Sequence, residues 1–167
     1  KLNHFVKKKG LETFKVKFTI LQLELFRFLC MHTGEKFNQT QLAKKLNVSS
    51  TAIANSLPTL EKEELILVNR DFRMNLILVS LQRENKRTRE LKRAENLKIL
   101  YETGLSDILE ESYPGSTIIL FGSYAQGADT IHSDIDIAVI GAKEKSINLG
   151  EFTKKIGKEI RINYYPS

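Results

Sequence analysis

Apolar and polar positions alternate differently in the two halves of the chain. From Phe18 to His32 the apolar residues Phe18, Leu21, Leu25, Phe28 and Leu29 recur at helical spacing, and Thr33-Gly34 stops the run. Asn38 with Gln41 three residues on has the form of a capping box, which predicts a second helix carrying Leu42 and Leu46. After the turn at Asn47-Val48, Ser49 caps a third helix with Ile53, Leu57 and Leu60 on one face. Pro58 removes a hydrogen bond inside that helix and predicts a kink. Leu65–Val68 and Asn75–Val79 are β-rich runs on either side of Asn69–Met74, a hairpin with an Arg-bearing tip.

Gln82–Thr103 then reads as one long, charge-dense helix that Gly104 ends. Its single apolar stripe, Leu91, Ala94, Leu97 and Tyr101, is wide enough to dock on a domain or on a second copy of the chain. A solvated linker face is the plain reading of its charges, and a phosphate-tracking surface or a dimer seam is the sharper one. Past Gly104 the pattern changes. A helix over Leu105–Ser112, a Pro-Gly turn at 114–115 and a strand over Thr117–Phe121 lead into a tight turn at Gly122-Ser123. A second strand ends at Ile140, a helix runs around Leu149–Gly157, and a last strand reaches Tyr165.

Charge sharpens this division. Residues 1–103 carry a net +9 and residues 104–167 a net −3, within a total of +6 for the 167 residues. A basic first half beside an acidic second half points to two domains with different partners, nucleic acid being the first one's. No apolar run approaches the ~18 residues of a membrane span. Lys7–Lys9 is not followed by a signal-type apolar core, so a cytoplasmic location is expected. The lone cysteine, Cys30, sits in an apolar helical pattern and reads as a core filler. His4, His32 and His132 lack the spacing of a zinc site, and His132 reads as an ordinary loop residue.

Ile118–Gly141, IILFGSYAQGADTIHSDIDIAVIG, is the stretch that states a chemistry. Gly122 has no Cβ to keep a backbone away from a ligand. A helix opened by Ser123 would turn free N–H groups toward a polyphosphate. Residues i and i+2 of a strand share a face, so Asp134 and Asp136 project together while Ile135 and Ile137 face the core. Two convergent carboxylates are the hard oxygen ligands that Mg²⁺ prefers, with triphosphate oxygens completing its octahedron.

Gly122-Ser123, ten spacer residues (Tyr124–Ser133), then Asp134-Ile135-Asp136 resembles the signature of minimal nucleotidyltransferases of the polymerase-β-like superfamily. The resemblance implies that Gly122 and Ser123 hold a nucleoside triphosphate, most plausibly ATP, and that Asp134 and Asp136 are catalytic residues holding Mg²⁺ or Mn²⁺. It also implies a third carboxylate on a later strand. The place between apolar residues holds Arg161 or Asn163, and Glu159, two residues earlier on the same face, is the remaining candidate. The family's frequent Ala-Arg-Gly reads Ala125-Gln126-Gly127. Members of this branch often modify a small helical toxin as antitoxins, which implies a protein acceptor of that kind.

QLAKKLNVSSTAIANSLPTLEKEELI, residues 41–66, resembles the helix-turn-helix of bacterial and archaeal winged-helix regulators. In that reading Ser50, Thr51, Ala52, Asn55 and Ser56 face the groove of double-stranded DNA, while Lys44, Lys45, Arg70 and Arg73 contact phosphates. No Arg or Lys lies on that face of the third helix, and many winged helices serve protein interaction or dimerisation.

The expectation is an α+β chain. Residues 1–81 form a winged helix-turn-helix domain, 82–103 a basic connecting helix, and 104–167 a small α/β nucleotidyltransferase-fold domain with a mixed sheet. Two functions follow. One is Mg²⁺-dependent transfer of NMP, most plausibly AMP, to a hydroxyl on a protein or other acceptor, coupled to DNA binding. The other is a DNA-binding transcriptional regulator whose degenerate transferase domain serves nucleotide sensing or dimerisation.

Overall fold

The computed structural model describes residues 17–71 and 76–166. His4, Lys7–Lys9, the hairpin tip and with it Arg73 lie outside the described residues.

Helix α1 (Ile20–Met31) opens on a reciprocal cap: the Thr19 side chain accepts from the Gln22 backbone, and Gln22 accepts from the Thr19 N–H at 2.9 Å. It therefore starts two residues later than the apolar stripe alone placed it, because a cap and not a hydrophobic residue fixes a helix start. Strand β1 (Phe37–Asn38) is absent from the sequence reading, since two residues show no periodicity and pair only when β3 is in place. Helix α2 (Gln39–Leu46) has the expected Asn38–Gln41 capping box, both bonds being 2.8 Å long. Helix α3 (Ser50–Lys62) is capped by Ser49 and runs on through Pro58. Strands β2 (Ile66–Asp71) and β3 (Leu76–Leu81) are antiparallel, and the sheet order is β1-β3-β2. Helix, strand, two helices and a hairpin make a winged helix. Its core closes on Leu25, Leu29, Leu42, Ile53, Leu60, Leu65 and Val79, all almost fully buried, with Cys30 among them.

Helix α4 (Lys86–Thr103), capped by Asn85, leads into α5 (Leu105–Ser112), β4 (Thr117–Phe121), the single turn α6 (Gly122–Ala125) and β5 (Ile135–Ile140). Helix α7 (Gly150–Ile156) and β6 (Ile160–Tyr165) complete the elements of the described residues. β5 lies between β4, antiparallel to it, and β6, parallel to it, so the sheet is mixed as expected. Ile135, Ile137 and Val139 pack with Leu100, Leu105, Leu109 and Ile156 beneath the helices. The opposite face is open: Thr117, Ile119 and Phe121 of β4 and Arg161, Asn163 and Tyr165 of β6 are exposed, flanking Asp136. A face without a covering layer is where a ligand can enter.

The connecting helix docks the other way round from its expected apolar stripe. Leu91, Ala94, Leu97 and Tyr101 face outward, Leu97 being 46% and Tyr101 61% exposed. Thr88, Lys92 and Asn96 are buried with Ile99 and Leu100. The reason is what α4 meets. The loop after α6 presents a buried carboxylate, Asp129, and α6 itself a backbone carbonyl at Tyr124, and both require donors.

Candidate functional site

The turn between β4 and α6 brings the two halves of the motif together. Gly122 adopts a left-handed φ of +74°, and a Cβ built on it would stand 2.4 Å from Asp136 Oδ2. Glycine is required here twice, for the backbone angle and for the space. The register explains the proximity, because Phe121 pairs with Asp136 across β4 and β5. Ser123 follows in α6, where its carbonyl accepts from Gln126 and, at 2.9 Å, from Ala128, tightening the chain into the spacer. With α6 only one turn long, the expected helix N-terminus lacks the aligned dipoles of a longer helix.

Asp134 immediately precedes β5 and Asp136 lies within it, both partly buried, while Ile135 and Ile137 are buried on the other face. Arg161 is the residue paired with Asp136 across β5 and β6, and its Nη1 stands 2.9 Å from Asp134 Oδ2. Glu159 lies just before β6, where its carbonyl accepts the Ile135 N–H at 2.8 Å. Its side chain is exposed and borders, with His132, Ser133, Asp134, Thr153 and Lys158, a cleft of about 310 Å³. Asn163 pairs with Ala138, farther along the strand from the carboxylates. Among the described residues no three metal-ligating side chains form a cage. Two carboxylates on one strand face fit a Mg²⁺ that takes its remaining ligands from phosphate and water.

Behind the site lies a buried network that gave no signal in the sequence. Asp129 in the spacer and Lys92 on α4 are each 1% exposed and form an ion pair. Asn96 donates to Asp129 Oδ1 at 2.7 Å and to the Tyr124 carbonyl at 2.9 Å, and Tyr124 donates back to the Asn96 carbonyl at 3.2 Å. Lys158 Nζ stands 3.2 Å from Asp129 Oδ2 and donates to the carbonyls of Thr130 and Ser133. Burial pulls the Lys92 ammonium below its ordinary pKa, while the hydrogen bond to Asp129 works against that shift. The spacer also reaches the first domain directly, the Ile131 N–H donating to the Thr33 carbonyl at 3.2 Å. Lys92 and Asn96 are one helical turn apart, but nothing in their surroundings along the chain marks them. Only the position of Asp129 shows their role.

On the winged helix, Lys44 and Lys45 in the last turn of α2 and Ser50, Thr51 and Asn55 on α3 are all exposed. Ser56 is not. It is buried and donates its hydroxyl to the Ala52 carbonyl at 2.9 Å, because position 56 adjoins the core residues Ile53, Leu57 and Leu60 on α3. Arg70 holds Glu61 through both terminal nitrogens at 2.9 and 2.7 Å, which pulls the Glu61 carboxyl below the usual carboxylate range.

Residues 102–166 match the nucleotidyltransferase domain family. No curated protein matches the chain. Among solved structures, the adhesin competence repressor AdcR of Streptococcus pyogenes is similar over 58% of this chain and 69% of its own, with 17% identity and a TM-score of 0.44. The zinc-responsive MarR family member ZitR of Lactococcus lactis is similar over 58% of this chain and 62% of its own, with 26% identity and a TM-score of 0.40. MepR of S. aureus in its DNA complex shares 19% identity over 57% of this chain and 81% of its own, at a TM-score of 0.40. The family match covers the second part of the chain, behind the winged helix that its own helices and hairpin form.

Proposed function

We propose that the protein is a DNA-binding winged-helix protein whose second domain transfers a nucleotidyl group, most plausibly AMP, from a nucleoside triphosphate to a hydroxyl on a protein or other acceptor. The observation that carries this reading is the seating of the Gly122 backbone against the Asp136 carboxylate, with Asp134 on the same strand face. Gly122 and Ser123 orient the triphosphate over the open sheet face. Asp134 and Asp136 hold Mg²⁺ or Mn²⁺, which when bound neutralises charge on the phosphates. The acceptor oxygen attacks the α-phosphorus, the bond to the bridging oxygen of the β-phosphate breaks, and pyrophosphate leaves. The acceptor's proton passes to a carboxylate at the cleft, where Glu159 is exposed beside Asp134.

The test is incorporation of label from α-labelled ATP, GTP, CTP and UTP with Mg²⁺ in lysate of the source organism, which contains the acceptor. Label with the wild type and none with Asp134→Ala/Asp136→Ala is expected. Equal label with both sinks the reading.

A second reading is favoured by Arg161, a cation where a third carboxylate was sought, already paired with Asp134. In it the domain binds Mg²⁺-nucleotide without transferring it and reports nucleotide to the winged helix. Nucleotide binding without label in any fraction distinguishes it. In both readings Lys44, Lys45 and Arg70 bind DNA phosphates while Ser50, Thr51 and Asn55 read bases, so affinity falls steeply with salt. Flat, weak binding to every duplex would remove the DNA role.

A further inference from the structure

We infer that Arg161 is a phosphate ligand of the nucleotide site, one that leaves Asp134 for the triphosphate when nucleotide enters. This deepens the nucleotide-binding reading and rests on it. The strand register sets Arg161 next to Asp136 across β5 and β6, and the ion pair sets its guanidinium 2.9 Å from Asp134. It also stands on the open face of the sheet, over which a triphosphate seated at Gly122 has to lie.

Three properties make the exchange feasible. The Arg161 side chain is 67% exposed, so it can swing without disturbing the core. An exposed ion pair of this kind is weakly held. A guanidinium offers five donors in a planar fork, and a phosphate takes two of them at once with more charge than a single carboxylate carries. Departure of the guanidinium would free Asp134 for a divalent cation at the moment the phosphates arrive. Nucleotide and metal then favour each other's binding, and the same factor applies in both directions. The rival account is that Arg161 only neutralises Asp134. The two differ where Asp134 is uncharged: in an Asp134→Asn background a neutraliser has no carboxylate to screen and does nothing for metal-free nucleotide, whereas a phosphate ligand still holds it directly.

The experiment is titration of the full chain with a fluorescent ATP analogue, in EDTA and in Mg²⁺, for wild type, Arg161→Ala and Arg161→Lys, each also in an Asp134→Asn background. Thermal melts check that the variants keep the fold, as expected for so exposed a side chain. In EDTA, Arg161→Ala should bind about tenfold or more weakly, the loss of a charge-assisted bidentate contact. Arg161→Lys, which keeps the charge and loses the fork, should fall between. Arg161→Ala binding in EDTA as well as its parent does, in the Asp134→Asn background, or a gain confined to Mg²⁺, would overturn the inference while leaving the nucleotide site standing. Absence of any binding by wild type in either buffer would remove the nucleotide-binding reading itself, and this inference with it.

Discussion

Gly122 shows how much a single position can decide. Its left-handed backbone and the 2.4 Å gap to Asp136 leave no room for a methyl group. Gly122→Ala should cost about 1–3 kcal/mol in folding stability, from strain and overpacking together. It should also weaken Mg²⁺-nucleotide binding more than a distant variant of equal stability, which denaturant melts and nucleotide titration together would show. Cys30 gives a pH prediction. Burial holds its thiol, and likewise the Tyr124 phenol, above their ordinary values. The folded chain therefore keeps a proton that the unfolded chain releases above 9.0 for Cys30 and above 10.0 for Tyr124. Stability falls as pH rises beyond those values. Lys92 acts oppositely: its lowered pKa adds stability as pH rises toward its ordinary 10.5. Urea melts from pH 8 to 10 should show a decline that begins near 9 for wild type and later for Cys30→Ala. An identical onset in both would show that Cys30 does not drive it.

At the scale of elements, caps fix where helices start and loops fix which face they bury. Asn38→Ala removes an acceptor from the first turn of α2 and should cost about 1 kcal/mol in a denaturant melt. α4 carries the stronger lesson. Gly127, at φ +67°, lies so close to it that a Cβ would stand 2.3 Å from the Arg89 carbonyl oxygen. A backbone atom within a helix cannot step aside. Gly127→Ala should therefore lift the spacer off α4 and destabilise by about 1–3 kcal/mol. Hydrogen exchange should rise first at Ile131, whose N–H bonds to Thr33. Protection there at the wild-type level would show that the junction tolerates the change.

The connecting helix is joined to the second domain through buried charge. Lys92 and Lys158 share Asp129, all three almost wholly out of water. Removing the shared acid strands two ammonium groups, so Asp129→Ala should cost about 3–5 kcal/mol. Replacing the pair together, Lys92→Met with Asp129→Leu, should cost less than Asp129→Ala alone, because Lys92 no longer lacks a partner and only Lys158 does. Calorimetric melts of the three proteins test the order, and equal losses would mean that the charges are not what holds α4 on the second domain.

Capping residues, apolar periodicity and the Gly-Ser and Asp-x-Asp spacing are local, so the helices, the hairpin, the three later strands and the motif were legible from Asn38, Ser49, Leu25 and Asp134 alone. β1 was not, because a two-residue strand exists only through its pairing with Val79 and Leu78. Nor was Ser56, whose burial depends on how α3 seats in the core. The stripe of α4 misled for a physical reason: a helix buries the face its neighbour can satisfy, and the neighbour here is Asp129, thirty-seven residues beyond Lys92. The residue facing Asp136 likewise depends on the parallel register of β5 and β6, which sets Arg161 there. Sequence by itself determined the elements other than β1 and the spacing of the Gly122, Ser123, Asp134 and Asp136 motif. Tertiary structure alone decided which charges meet, because pairing distance is a property of the folded chain and not of its spacing.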